Sequence, residues 1–278
     1  MIYAGGMPAP SVALTIAGSD CCGGAGIQAD LKTFQHFGVH GLTAVTCVVS
    51  ETPKVVEAVH AVPVETIESQ VSLLLKSYPV AAIKTGMLHS REVIEAVSRC
   101  LVEHPSIPVV VDPVMVASSG SPLIEEDAVE AYREHLFPEA TLITPNLHEI
   151  EVLLRSPVGD LETLEQSALQ LALETDSSIL AKGGHLEGEE DCTDVLAIGD
   201  ELSHFIHPRL PDADTHGTGC ALAAAIAANL ALGEELESAV CNASDYLAAA
   251  LKSRYRFDHP EAIEALNQGT LPKAFRQD

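Results

Sequence analysis

The chain has 278 residues, of which 40 are acidic and 15 basic, giving a formal charge of −25 and a hydrophobic fraction of 47%. This charge disfavours binding to DNA, RNA or anionic membranes, and no apolar run approaches the ~20 residues that a membrane helix needs. Seven cysteines without a Cys-x-x-Cys pair favour reduced thiols in a cytoplasm over a disulfide framework or a zinc site. The acidic excess also suits a saline habitat, which the sequence does not establish.

The length accommodates one large α/β domain or two small ones. Residues 1–10 lack the basic start and apolar core of a signal peptide and are expected to form a disordered leader. No linker, repeat or low-complexity stretch follows. We therefore predict a single domain over residues 11–278.

The first predicted unit is a strand, a glycine-rich turn and a helix. Residues 12–17 form the apolar strand, 18–26 the turn and 27–34 the helical pattern. The turn has no Gly-Lys-Ser/Thr, so it is not a Walker loop, and it is not a clean dinucleotide fingerprint. It is nevertheless typical of a ligand-binding βα unit.

Strands and helices then alternate along the chain. The predicted elements are a strand at 41–50 buried on both faces, an edge strand at 55–62, a helix from Pro63 to 77, a strand at 80–87, a helix at 90–103, a strand at 108–115, a helix at 125–136, a strand at 141–146, helices at 146–154 and 161–173, a strand at 178–184, and a hairpin of 195–198 with 203–206. This alternation predicts an α/β fold in which a parallel sheet carries helices on both faces and an antiparallel hairpin at one edge.

Polar side chains follow several of the apolar runs, where ligands gather in open parallel sheets. They are Asp20, Glu51, Lys84, Asp112, Asn146, Glu149 and Lys182. Any one of them could instead cap a helix, and Asn146, directly before a helix, is such a case. Their convergence with the glycine turn favours a site.

A second glycine segment, Thr215-His216-Gly217-Thr218-Gly219-Cys220, precedes a run of strong helix formers. Its glycines bring N–H groups to the mouth of that helix, where the macrodipole favours an anion. Cys220 falls in the first turn, where we expect a lowered thiol pKa and a proton acceptor. The alternative is a helix start with an inert, buried cysteine.

A set of motifs occurs in an order that resembles one family. They are Ala17-Gly18-Ser19-Asp20, a stretch from Gly23 to Thr33, Lys84-Thr85-Gly86-Met87, Val111-Asp112-Pro113-Val114-Met115, Ile143-Thr144-Pro145-Asn146, Lys182-Gly183-Gly184-His185 and Thr215–Cys220. The chain resembles the hydroxymethylpyrimidine/phosphomethylpyrimidine kinases of thiamine biosynthesis, within the ribokinase-like superfamily. The resemblance implies a ribokinase-like three-layer α/β/α sandwich, usually dimeric, that uses ATP and Mg²⁺.

The same resemblance implies roles for individual residues in phosphoryl transfer. Amides of Gly217, Thr218 and Gly219 would stabilise phosphate charge, and Cys220, where ribokinases usually carry Asp, would accept the substrate proton. Lys182 would neutralise phosphate charge, and Glu149 would organise Mg²⁺ through water with help from Asp112. The nucleotide-binding set comprises Asn146, Lys182, Thr215, Gly217 and Gly219.

The pyrimidine would lie against Gly18, Asp30, Glu51, Met87 and Val114. Glu51 departs from the family, in which Gln is common at this place. Gln can both accept and donate hydrogen bonds, whereas an ionised Glu only accepts. Either Glu51 binds a protonated aminopyrimidine ring through a charge-assisted pair, or it marks a shifted substrate preference.

Three alternatives stay open at this point. Pyridoxine/pyridoxal kinases carry the same motif set. A sugar or nucleoside kinase is disfavoured by Cys220 and by the first glycine segment, and a non-catalytic ligand sensor is disfavoured by the intact Lys182, Glu149 and Cys220.

His204 and His207 would point to opposite faces of a strand, which disfavours a metal pair there. The sequence leaves open whether one or both phosphorylations occur.

Overall fold

The computed structural model describes residues 8–115, 127–184, 186, 191–210, 216–258 and 263–269. Its main sheet is formed by strands β1 (Val12–Asp20), β2 (His40–Thr52), β3 (Val55–Ala61), β4 (Val80–Thr85), β5 (Val109–Val111), β6 (Leu142–Ile143), β7 (Ser178–Ala181), β8 (Asp191–Ile198) and β9 (Glu201–Pro208). The α-helices are α1 (Gly26–His36), α2 (Val64–Ser77), α3 (Arg91–Val102), α4 (Ala128–Ala131), α5 (Leu147–Leu154), α6 (Leu161–Thr175), α7 (Thr218–Ala231) and α8 (Leu236–Lys252). Short strands β10 (Tyr255–Arg256) and β11 (Glu264–Ala265) pair separately.

The nine strands of the sheet lie in the order β3-β2-β1-β4-β5-β6-β7-β8-β9. Six neighbouring strands run parallel, namely β2, β1, β4, β5, β6 and β7. Strand β3 pairs antiparallel at one edge, and β8 and β9 pair antiparallel at the other. The predicted edge strand and the predicted edge hairpin are therefore confirmed. Both hairpin strands are longer than the predicted ranges, 195–198 and 203–206.

Two apolar cores lie on opposite faces of the sheet, as alternation of side chains along each strand requires. On β1, Val12, Leu14 and Ile16 pack into the core covered by helices α2 to α6. Ala13 faces the other core, which is built from α1, α7 and α8. The molecule is thus the α/β/α sandwich that the sequence implied.

Three local predictions need correction. Strand β2 is not buried on both faces throughout, because it continues to Thr52 beyond the helices and Val48 there is half exposed. Pro63 caps α2 rather than forming its first residue. Of the helix expected over 125–136, positions 125 and 126 lie outside the described residues; the rest is the short helix α4 followed by a π-helical turn, Tyr132–Leu136, and a 3-10 turn, Phe137–Glu139, follows it.

The order of the strands fixes where a ligand can bind. From β1 the chain crosses first to β2 on one side and later to β4 on the other, so the sheet reverses its winding beside β1. Crevices outside the carboxyl ends of strands at such a switch point are the usual ligand sites of open α/β sheets. Asp20, Asp112 and Lys182 all lie at these ends.

Candidate active site

A cavity of about 870 Å³ opens at the carboxyl edge of the sheet. Its lining includes both ends of the first glycine turn, the polar residues that follow β5, β6 and β7, the start of α7, the end of β9 and the C-terminal half of α8. The predicted site residues that line it are Gly18, Glu51, Met87, Asp112, Val114, Asn146, Glu149, Lys182, Gly217, Thr218, Gly219 and Cys220. Thr215 lies outside the described residues, so its predicted role has no structural account.

The two glycine segments touch each other, and glycine is required at the contact. Gly217 caps α7 with a φ of 79°, and a Cβ there would collide with the carbonyl oxygen of Gly24. A Cβ on Gly26, which has a φ of 57°, would likewise collide with the carbonyl oxygen of Gly18. Both residues occupy the left-handed region, which side chains rarely adopt. The turn after β1 and the start of α7 therefore form one wall of the cavity.

Asp20 holds this wall together from its buried position at the end of β1. Its carboxylate accepts the N–H groups of Cys22, Gly24 and Ala25 at 2.7 to 2.9 Å and contacts Nε2 of His216 at 3.2 Å. Burial alone would raise the pKa of Asp20, but the hydrogen bonds from His216, Cys22 and the backbone outweigh it and hold this pKa well below its usual range.

His216 is a cavity residue for which the sequence predicted no role. Burial disfavours its charged form, yet the hydrogen bonds to Asp20 and Cys22 raise the pKa of His216 to about 10. It is therefore an imidazolium near neutral pH and adds positive charge to the wall. Its place directly before Gly217 was the one signal of this role in the sequence.

The start of α7 faces the cavity with its backbone. Gly217 has no side chain that could cap the helix, and the first turn contains no acidic residue. The amides of this turn are therefore directed toward the cavity. The positive end of the macrodipole adds to this field. The glycine cap and its place in the cavity are observed, and anion binding there stays a prediction.

The expected lowering of the Cys220 pKa is wrong. Burial raises the pKa of the Cys220 thiol to about 12, Lys84 opposes this, and the carboxylates of Asp112 and Asp30 reinforce it. A helix terminus contributes roughly 0.3–1 kcal/mol, which is too little to reverse such a shift. Cys220 is therefore a neutral thiol in the resting site.

A cation and two carboxylates meet after β5, β6 and β7. Nζ of Lys182 lies 3.1 Å from Oδ1 of Asp112, which also accepts the Thr144 hydroxyl at 3.3 Å. Burial raises the pKa of Glu149 to about 7, Lys182 opposes the shift, and Asp112 adds to it. Negative charge from the two carboxylates thus exceeds what Lys182 neutralises.

Glu149 also holds the start of α5 in place. Asn146 Oδ1 accepts the Glu149 N–H at 3.0 Å, and Glu149 Oε2 accepts the Asn146 N–H at 2.7 Å, which forms a reciprocal capping box. The cap expected for Asn146 is present, and both residues line the cavity as well. The two roles coexist because the helix starts at the edge of the site.

The other end of the cavity is mostly apolar. Met87 packs with Cys47 and Val49, and Val114 lies against this cluster. Glu51 enters the same region, and its backbone is hydrogen-bonded to Cys21 Sγ at 3.2 and 3.3 Å. Burial raises the pKa of Glu51, Asp20 adds to the shift, and His216 opposes it.

Asp30 does not line the cavity, so direct contact with a substrate is not available to it. Its side chain is fully buried on α1. Both carboxylate oxygens accept hydrogen bonds from Lys84 Nζ, at 3.0 and 2.9 Å, and Oδ2 also accepts one from the Thr15 hydroxyl at 2.5 Å. Lys84 is equally buried on β4. This ion pair joins α1 to the sheet beneath the site.

The fold and the cavity together define the class of protein. An α/β/α sandwich whose switch point presents a glycine-capped helix, a lysine and paired carboxylates is a small-molecule kinase of the ribokinase-like type. Residues 20–263 match the family model described as phosphomethylpyrimidine kinase. The chain belongs to that family.

Relatives support the same assignment. The chain is 42% identical over 242 residues to the hydroxymethylpyrimidine/phosphomethylpyrimidine kinase of Haemophilus influenzae, covering 86% of this chain and 90% of the relative. It is also 42% identical to a thiamine biosynthesis bifunctional protein of Geobacter sulfurreducens, of which it spans about half, 49%.

Two solved structures have the same fold. The pyridoxal kinase of Staphylococcus aureus, in complex with AMP-PCP and pyridoxal, superposes with a TM-score of 0.84 at 31% identity and covers 94% of both chains. The phosphomethylpyrimidine kinase of Clostridium difficile superposes with a TM-score of 0.75 at 34% identity, covering 85% of this chain and 97% of that one.

Proposed function

We propose that this chain transfers the γ-phosphoryl group of ATP to 4-amino-5-hydroxymethyl-2-methylpyrimidine and then to the resulting monophosphate, in thiamine biosynthesis. The observation that carries the proposal is the single cavity that joins an apolar pocket for a ring, lined by Met87 and Val114, to the anion-binding start of α7. Membership of the phosphomethylpyrimidine kinase family and the names of the relatives support both steps.

Positioning and charge stabilisation would supply most of the catalysis. The amides of Gly217, Thr218 and Gly219 would bind the oxygens of the transferred group, where negative charge develops. Lys182, whose ammonium lies beside Gly219, would contact the phosphates once released from its pair with Asp112. The related pyridoxal kinase bound to AMP-PCP supports a nucleotide in the corresponding cavity of this chain.

The donor set suits Mg²⁺. Asp112 and Glu149 are buried carboxylates that both line the cavity, and burial, reinforced by repulsion from Asp112, raises the pKa of Glu149. Oxygen ligands are those that Mg²⁺ prefers, often through retained waters. Asp112 and Glu149 would therefore hold the ion, which when bound neutralises charge on the phosphates.

Cys220 would receive the proton of the substrate hydroxyl. Because burial raises the pKa of the thiol, Cys220 must first lose its own proton to solvent, and Lys84 stabilises the thiolate that results. In a loose transition state the hydroxyl proton becomes acidic only as the bond to phosphorus forms. We therefore propose that this thiolate accepts the hydroxyl proton late, as that bond forms and the bond from phosphorus to ADP breaks.

Glu51 would recognise the aminopyrimidine as a neutral carboxylic acid. Its raised pKa favours the protonated form, which offers one donor and one acceptor, as the Gln common in the family does. This interpretation removes the need for a protonated ring.

The pH dependence of kcat/KM for the pyrimidine, measured for the wild type and Glu51→Gln, tests the role of Glu51. A neutral Glu51 predicts that wild-type kcat/KM falls as pH rises through the Glu51 pKa, while the variant stays level. A wild-type profile that falls toward acid instead would favour ionised Glu51 bound to a protonated ring. Identical profiles would remove both versions.

Pyridoxal phosphorylation is the second candidate. The higher TM-score to a pyridoxal kinase than to a phosphomethylpyrimidine kinase, 0.84 against 0.75, favours it, as does Glu51 in place of Gln. Both substrates are ring alcohols that would fit the same apolar pocket.

An assay of ATP consumption with the pyrimidine alcohol, its monophosphate and pyridoxal offered separately decides between the candidates. Turnover of both pyrimidines with weak pyridoxal activity supports the thiamine role. A preference for pyridoxal would assign the chain to vitamin B6 metabolism, and absence of turnover with all three would contradict both.

We further propose a homodimer in the cytoplasm. Val48 and Val55 are half exposed on the β2–β3 hairpin, at the open edge of the sheet, and a second copy would cover them. Sedimentation equilibrium tests the dimer.

All seven cysteines are free thiols, which suits a reducing compartment. Within the described part of the chain, no helix has both the length and the apolarity to cross a membrane.

A further inference from the structure

Asp20, Cys22 and His216 form a compact triangle at the rim of the cavity. Cys22 Sγ lies 3.1 Å from Asp20 Oδ2 and 3.5 Å from His216 Nε2, and Oδ2 lies 3.2 Å from Nε2. Asp20 is buried, His216 is half-buried and Cys22 is exposed. The three atoms that converge are a carboxylate oxygen, a sulfur and an imidazole nitrogen, each a metal ligand.

The spacing of these atoms matches one face of a metal tetrahedron. Zinc bonds of about 2.0–2.3 Å to oxygen, nitrogen and sulfur at tetrahedral angles separate the ligand atoms by about 3.3–3.6 Å. The observed separations of 3.1 to 3.5 Å need only a small expansion to admit an ion.

The same geometry excludes a nucleophile relay. In a Cys-His-Asp relay the cysteine and the carboxylate use different nitrogens of the imidazole ring. Here Nε2 of His216 contacts both Cys22 and Asp20. The triangle therefore directs three donors at one point rather than passing a proton along a chain.

We propose that Asp20, Cys22 and His216 bind a divalent cation of the zinc class, with a fourth ligand position left to water. A mixed sulfur, nitrogen and oxygen set suits Zn²⁺ and disfavours Mg²⁺, which prefers oxygen ligands in an octahedron. The sulfur and imidazole ligands bind the ion only without a proton on the donor atom, so binding should weaken as pH falls.

The sequence disfavoured a zinc site because no two cysteines have the usual spacing. The structure supplies the donors in another way, since the contact between the glycine segments brings His216 to Asp20 across 196 positions. A bound ion would fasten the first glycine turn to the start of α7. The site is separate from the carboxylates of Asp112 and Glu149, and the inference does not depend on which alcohol is phosphorylated.

Titration of the metal-free full-length protein with Co²⁺, followed by absorbance, tests the proposal without reference to kinase activity. We expect one equivalent to bind with tetrahedral ligand-field bands and a thiolate-to-cobalt charge-transfer band, and we expect Zn²⁺ to displace it. Cys22→Ser should abolish the charge-transfer band and weaken binding at least tenfold. Because Cys22 is exposed, this variant is expected to fold.

Two cysteine variants are matched controls. Cys21 is the neighbouring residue, but its sulfur is directed at the Glu51 backbone, and Cys220 is not among the three residues whose donor atoms converge. Cys21→Ser and Cys220→Ser should both retain the charge-transfer band. Absence of stoichiometric binding, a band that survives Cys22→Ser, or a band lost in either control would overturn the proposal.

Discussion

Cys220 occupies the first turn of α7, where Lys84 favours its thiolate and Asp112 and Asp30 disfavour it. Burial and the two carboxylates keep the proton on sulfur, so the thiol must lose this proton before Cys220 can accept the proton of a substrate hydroxyl. This distinguishes the two proposed reactions, because the phosphate oxygen of the monophosphate carries no proton to remove.

Cys220→Ala is therefore expected to affect the two phosphorylations unequally. Loss of a general base lowers rates by roughly 10²–10⁴-fold, so kcat for the pyrimidine alcohol should fall by about that factor. For the monophosphate we expect less than about a tenfold loss. Steady-state kinetics on each substrate separately measure the ratio, and equal losses would show that Cys220 serves geometry or anion binding instead.

The residues of this site differ in how far the sequence could predict them. Asn146 and Glu149 are spaced as a capping box and precede a helix, so local rules locate them. Asp30 and His216 are different, because their partners are distant in sequence: Asp30 meets Lys84 only when β1 and β4 pair, and His216 meets Asp20 only when the glycine segments touch. The sequence shows the charges but not these pairings.

At the level of elements, the pattern of apolar residues predicted the strands and helices, while tertiary context decided their ends. The edge hairpin and the helix at 91–102 agree with prediction because turn residues and periodicity coincide there. Strand β2 departs because its apolar run continues past the covering helices. The π-helical turn at Tyr132–Leu136 has no signal in the periodicity of the sequence.

The Lys84–Asp30 pair joins two elements, β4 and α1, and both side chains are fully buried. Removing one partner leaves an uncompensated buried charge, so Lys84→Met should lower the free energy of unfolding by about 3–5 kcal/mol. The double variant with Asp30→Leu should recover most of this, less about 1 kcal/mol for the Thr15 hydroxyl that loses its acceptor. Urea unfolding of the three proteins measures the effect, and a double variant no more stable than Lys84→Met would contradict it.

The Asp20–His216 pair joins the first glycine turn to α7, and its contribution to stability should depend on pH. Because folding raises the His216 pKa to about 10, above its ordinary value near 6.5, the stabilisation is complete below pH 6.5 and is lost as pH rises through about 10. His216→Gln should therefore cost about 2 kcal/mol at pH 6 and much less above pH 10.

Urea unfolding with a metal chelator present, at pH 6 and pH 10.5, tests this pair. The chelator removes any contribution from a bound cation, and only the difference between wild type and variant at each pH is compared. A stability difference that is the same at both values would mean that His216 acts through packing rather than charge.

At the scale of the whole molecule, the dominant feature is a formal charge of −25 around a site for which we propose phosphate binding. Lys182 and Lys84 are each paired with a carboxylate, so the start of α7 supplies positive potential only locally, whereas the surface repels phosphates as they approach. The Debye length is about 30 Å at 0.01 M salt and about 8 Å at 0.15 M, so the repulsion reaches well beyond the molecule only in dilute buffer.

This repulsion should separate the two pyrimidine substrates, which differ chiefly in charge. Raising ionic strength from 0.01 to 0.15 M at saturating MgATP should increase kcat/KM for the dianionic monophosphate about twofold to tenfold, because screening removes the barrier to its approach. The neutral alcohol, which we propose binds in the same pocket, is the matched control and should change little. Measuring both with potassium acetate and with potassium chloride separates screening from competition by a particular anion. An equal response of the two substrates, or a fall in kcat/KM for the monophosphate with both salts, would show that the local cations of the site, rather than the acidic surface, control the encounter.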